Sequence, residues 1–197
     1  MKSLFLLGIF CLTIPFQLWA KGHEQVSFAG QYSLQAHSFS KVSSEFENVS
    51  SNYGWRLDYL TEYDPELWVG VGYSRGKGTW KNTESNSEII DGIVEKFFGD
   101  RDRVKEKGPF WDKLFYRVGG RAGLYRWTIQ KKKPGLLTEL NYGPTFYSFG
   151  WTVSPYVAVG LGELGSVEYA YRLHFSGGAD TSTLNNSYVS YVYNLYF

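Results

Sequence analysis

Three observations predict an all-β protein, an eight-stranded antiparallel up-and-down transmembrane β-barrel. Tyr, Phe and Trp make up 19% of the chain and Gly is abundant. Beyond the first twenty residues no apolar run approaches the roughly 20 residues of a membrane-spanning helix. Short segments of alternating apolar and polar residues recur along the chain, the period-two signature of strands with one greasy and one polar face.

The first segment, "MKSLFLLGIFCLTIPFQLWA", has a positive start at Lys2, an apolar run from Leu4 to Ile14 and a small residue at Ala20. It reads as a cleaved signal peptide over residues 1–20, leaving one barrel domain over 21–197. The single cysteine, Cys11, lies within it, so disulfides and cysteine metal sites are excluded from the mature chain. Without Lys2 the chain carries 19 basic and 19 acidic residues. A formally neutral chain without a clustered basic face does not fit nucleic acid.

Strand one is expected near residues 26–37, with Val26, Phe28 and Tyr32 opposite Ser27, Gln31 and Ser33. Strand two, near 53–63, sets Trp55, Leu57 and Tyr59 against Arg56, Asp58 and Glu62, and "YDPE" makes a turn. Strand three carries Leu67, Val69, Val71 and Tyr73 on one face. The next segment, residues 85–99, is expected to be an amphipathic helix over about 86–98 in an outer loop. Ser85 and Glu88 stand at capping-box spacing, Ile89, Ile90, Ile93, Val94, Phe97 and Phe98 recur at helical intervals, and Gly99 can end it. Strand four follows in "LFYRVGGRAGLYRW", with Arg117 and Arg121 on its polar face. Strand five, with Leu136, Leu140, Tyr142 and Phe146, carries Glu139, and strand six runs from Trp151 to Leu161 after a tight turn at Phe149–Gly150. Strand seven sets Val167, Tyr169, Tyr171, Leu173 and Phe175 against Glu168, Arg172, His174 and Ser176. Strand eight is "SYVSYVYNLYF".

The polar faces hold Gly, Ser and a few charges rather than the Lys, Glu and Thr of a water-washed sheet. Small and mutually compensating residues suit the narrow interior of an eight-stranded barrel. Arg56, Asp58, Glu62, Arg117, Arg121, Glu139, Glu168 and Arg172 would share the lumen, four of each sign. Unpaired, each buried charge costs several kcal/mol, so they are expected to pair and plug the barrel. The alternative is a narrow, porin-like channel for small solutes.

Signal peptide, "SPYVAVGLG", "EYAYRL" and the terminal Tyr193, Leu195 and Phe197 together resemble the small eight-stranded outer-membrane β-barrel proteins of Gram-negative bacteria. The resemblance implies the bacterial cell outer membrane, contact with its lipid and lipopolysaccharide, surface-exposed loops for an unidentified partner, and a structural or adhesive role. It also implies that Tyr193, Leu195 and Phe197 are read by the barrel-assembly machinery. Deleting Phe197 is therefore expected to lower outer-membrane yield and abolish heat-modifiable gel mobility; unchanged yield and mobility would refute it.

His174 and Ser176 in "LHFS" resemble part of the motif of the lipid A 3-O-deacylase family. That motif has an Asn after the Ser and a Glu on the last strand; here Gly177 follows and the last strand has no carboxylate. A serine nucleophile needs a base held by a third group, so a lipid A-modifying enzyme is the weaker alternative. Pro144 and Pro155 would pair across the expected five–six hairpin and make a lateral weak point, which resembles the proline-flanked openings of the lipid A palmitoyltransferase family. No metal-ligand cluster, calcium loop or nucleotide-binding glycine pattern is present, so no cofactor is expected.

Overall fold

The structure, a computed structural model, describes residues 23–33, 51–64, 66–80, 83–99, 113–132, 142–162, 165–176 and 184–196. The signal segment, Glu139 and Phe197 lie outside these residues. Eight strands form one closed antiparallel barrel in sequential order: β1 Glu24–Ser33, β2 Ser51–Asp64, β3 Leu67–Trp80, β4 Thr83–Phe98, β5 Leu114–Lys132, β6 Tyr142–Leu161, β7 Ser166–Ser176 and β8 Leu184–Tyr196. β1 and β8 close it, from Gln25 opposite Tyr196 to Ser33 opposite Tyr188. Closure leaves no sheet edge in the barrel wall, which is what hydrocarbon demands of a spanning sheet.

The strand total matches the expectation, but two of its members differ. The expected helix at 86–98 is strand β4, paired along its whole length with β3 and β5. Its apolar residues fall on both faces: Ile90, Val94 and Phe98 point outward, while Ile89, Ile93 and Phe97 are buried. A strand that is greasy outside and meets an apolar plug inside puts apolar residues at i, i+1, i+4 and i+5, which copies a helical period. The β-branched content of "IIDGIV" then favours the strand. With Cys11 replaced by Ser, single cysteines placed along 89–98 are expected to react with a lipid-soluble maleimide at every second position, strongest at 90, 92, 94 and 98. Labelling every three to four residues would restore the helix.

The second correction is at β6. The expected strands five and six are not joined by a turn at Phe149–Gly150; one strand of 20 residues runs straight through. Tyr147, Phe149, Trp151 and Val153 are all exposed on its outer face, so the alternation never changes phase. Pro144 and Pro155 therefore sit on one strand and cannot face each other across a hairpin. Pro144 falls where the β5–β6 register shifts between Gln130 and Lys132. Pro155 stands opposite Gly120 of β5, while the β6–β7 ladder passes from Val153–Leu173 to Tyr156–Ala170 and skips Ser154 and Pro155. Proline has no N–H to give to β7, so the ladder lapses there with its register intact.

The β2–β3 and β6–β7 connections lie at the end where both termini lie. The β5–β6 connection, 133–141, is at the opposite end, and β3 and β4 are joined there by only two residues, 81–82. The long link 99–113 joins β4 to β5 at the terminal end.

Outside, the wall is apolar and aromatic: Phe28, Tyr32, Leu57, Val118, Leu124, Val157, Tyr169, Tyr193 and Leu195 are all exposed. Inside, alternate residues are buried: Ser27, Ala29 and Gln31 on β1, Arg56, Asp58 and Leu60 on β2, Thr152, Ser154 and Tyr156 on β6. Strands β2 to β6 have 14 to 20 residues. About 9–11 suffice for a tilted strand to cross a bilayer, so these strands are longer than a crossing requires.

Candidate functional site

The lumen is filled in layers, and the charged layer is the candidate site. β2 presents Arg56 and Asp58 two residues apart, so both point inward. The Arg56 Nε donates to Asp58 Oδ2 at 2.8 Å, and its Nη1 and Nη2 donate to the two Glu168 carboxylate oxygens at 2.7 and 2.8 Å. Arg121, from β5 across the lumen, grips Asp58 through both terminal nitrogens, each at 2.8 Å. It also lies 3.5 Å from Asp91 Oδ1 and 4.0 Å from Glu168 Oε2. Two fork-to-carboxylate pairs of this kind fix orientation as well as charge.

A second group adjoins the first. Arg117 Nη1 donates to Glu95 Oε2 at 3.2 Å, and Arg117 Nη2 donates to Ser166 Oγ. The Tyr156 hydroxyl donates to the same Glu95 oxygen at 2.6 Å, and the Arg121 guanidinium lies 5.0 Å above the Tyr156 ring. Tyr156 thus ties the two ion groups together. Arg172 lies 4.9 Å over the Tyr188 ring. Four arginines and the four carboxylates Asp58, Asp91, Glu95 and Glu168 are all buried, so the sum is neutral.

Glycines make the space. A Cβ at Gly72 of β3 would stand 2.4 Å from Asp91 Oδ1 and 2.6 Å from Asp58 Oδ1. A Cβ at Gly119 would meet the Tyr156 ring at 2.5 Å. Toward the terminal end, Leu60, Trp68, Ile93, Phe97 and Phe115 form an apolar layer with Tyr156 and Ala170. The Phe97 and Phe115 rings stack at 5.2 Å. Toward the other end, His174 packs between Tyr125 and Trp127, with ring centroids 4.9 Å from each.

Of the charges expected in the lumen, Arg56, Asp58, Arg117, Arg121 and Glu168 come together, and Arg172 is buried with them. Glu62 sits apart at the terminal rim, where its carboxylate accepts the His23 backbone N–H at 3.3 Å. Asp91 and Glu95 were missed because they lie in the segment read as a helix; their alternation with Ile90, Gly92 and Val94 was the signal. His174 faces the lumen, and the outward positions beside it are Leu173 and Phe175, so the histidine does not reach the outer face of the wall. The side chains of Ser176 and Pro144 are outside the described set. Among the described residues no group of three or more His, Cys, Asp or Glu side chains is placed to hold a metal ion.

No protein-family model and no curated protein matches the sequence. Solved structures do. The N-terminal β-barrel domain of OprF from Pseudomonas aeruginosa superposes with a TM-score of 0.52 at 11% identity, covering 89% of this chain and 99% of that one. Ail, the attachment invasion locus protein of Yersinia pestis, gives 0.54 at 8% identity, covering 88% and 99%. The fold is that of the small outer-membrane β-barrels. At such identities the likeness is one of architecture, and the barrel's activity has to be argued from its own residues.

Proposed function

We propose that this barrel resides in the bacterial outer membrane as a closed, non-catalytic anchor. Both termini face the periplasm, and the opposite end serves a structural or adhesive role at the cell surface. The observation that carries the reading is the filled lumen: a neutral set of four arginines and four carboxylates, capped by an apolar layer on one side and by Tyr125, Trp127 and His174 on the other. Eight strands leave room for side chains only, and here large side chains take that room. An attachment role accords with the printed name of Ail, and that support is analogy alone.

Purified protein inserted in planar bilayers is expected to give no conductance steps. Lipid A from cells with and without the gene is expected to have the same mass spectrum. Discrete steps would favour the solute channel, and a changed acyl pattern would favour the enzyme. Membrane fractionation tests the location separately.

A further inference from the structure

The outer wall changes character between neighbouring rows at the end away from the termini. Cross-strand register aligns Leu57, Tyr73, Ile90, Leu124 and Trp151 in one outward row over β2 to β6. The next row toward the end reads Trp55, Arg75, Glu88, Arg126 and Phe149. The row beyond carries Tyr53, Lys77, Asn86, Thr128 and Tyr147. Apolar wall thus gives way to charge within one row, and the charges are flanked by Trp55 and Phe149. Aromatic residues so placed mark the headgroup level.

Arg75 and Arg126 straddle Glu88 on the intervening strand. Arg126 Nη2 lies 2.5 Å from Glu88 Oε2, with the arginine side chain 57% exposed. Exposed pairs of this kind hold weakly and exchange partners readily. Among the described residues Arg75 has no ion pair, and it is exposed. Glu88 is therefore taken by Arg126 alone, and the row keeps one positive charge, that of Arg75, facing the headgroups. Guanidinium forks match phosphate oxygens two at a time.

We propose that Arg75 and Arg126 bind the phosphate groups of a phosphorylated glycolipid in the outer leaflet. The proposal rests on the outer-membrane orientation given above and names the lipid partner of that wall. Glu88 opposes the binding by neutralising one guanidinium, which sets the affinity below that of a bare arginine pair.

The test uses the protein folded in phosphatidylcholine vesicles doped with lipopolysaccharide, with dephosphorylated lipopolysaccharide or with phosphatidylglycerol. Binding is read from the total tryptophan fluorescence and from the midpoint of thermal unfolding. Each cation at an anionic surface contributes roughly a fivefold factor. Arg75→Gln is expected to weaken lipopolysaccharide binding about fivefold and the double Arg75→Gln/Arg126→Gln variant about 25-fold, with unchanged stability in phosphatidylcholine alone. Glu88→Gln is expected to tighten it, and Lys96→Gln, near the terminal end, to leave it unchanged. Equal binding by the double variant and the parent would overturn the proposal. So would an equal response to phosphatidylglycerol, which would make the patch a general anion attractor. Because the vesicles fix the lipid, binding and cellular location can fail independently.

Discussion

Glu168→Ala is expected to lower folding stability by about 3–5 kcal/mol, the usual result of leaving a buried charge without its partner. Glu168 is fully buried and accepts both terminal nitrogens of Arg56. Its loss leaves Arg56 with only the Nε contact to Asp58, a carboxylate that Arg121 already holds at both oxygens. The extra positive charge is buried and has no spare acid within the cluster, since the four arginines and four carboxylates balance. Reversible urea unfolding in lipid vesicles, followed by tryptophan fluorescence, measures the change. Replacing both partners, Arg56→Met with Glu168→Met, should recover most of the loss, because an apolar pair of similar volume is often no worse than the ion pair it replaces. An alanine variant within about 1 kcal/mol of the parent, the range of an exposed pair, would show that water reaches the cluster.

Much of this layer was legible in the chain. Arg56 and Asp58 stand opposite Trp55, Leu57 and Tyr59 in an alternation that admits one reading, and Arg117, Arg121 and Glu168 follow the same rule. Alternation assigns a face when one face is greasy and the other is not. It gives no answer for "SNSEIIDGIVEKFF", because there the inner face touches the apolar layer of Leu60, Trp68 and Phe115 and is greasy too. The helical count of that segment was a by-product of two apolar faces. Without the strand, Asp91 and Glu95 drop out of the expected network and Glu62 enters it, although Glu62 sits at the rim; Glu139 lies outside the described residues.

Compensation also hid the continuity of β6. Losing β4 left the strand count one short, and dividing β6 at Phe149–Gly150 restored it. The sequence around Gly150 carries a turn-like glycine, yet Gly150 is buried in the wall and Trp151 keeps the outward phase of Phe149. Register, which only the neighbours β5 and β7 supply, decides between a turn and a straight run.

Gly72→Val is expected to be at least as damaging as losing one acid of the network. A single added Cβ would meet Asp91 Oδ1 at 2.4 Å, Asp58 Oδ1 at 2.6 Å and Arg121 Nη1 at 3.1 Å. Such approaches can be tolerated when the crowded atom ends a long free side chain. Here two of the three atoms end aspartates, with only two side-chain torsions each, and Asp58 is held by Arg56 and Arg121 at 2.8 Å on each contact. Moving Asp58 away from β3 separates it from Arg121, so the overpacking cost of about 1–3 kcal/mol adds to the loss of a buried pair. Gly120→Ala is the matched control: on the outer face of β5 its Cβ would have no neighbour within 4 Å. That change should be neutral or slightly stabilising, since glycine inside a strand loses more backbone freedom on folding than alanine. Comparing the two unfolding midpoints in the same vesicles separates space from backbone conformation. If Gly72→Val unfolds at the same urea concentration as Gly120→Ala, the charged layer is loose enough to make room, and the lumen is not the close-packed plug described above.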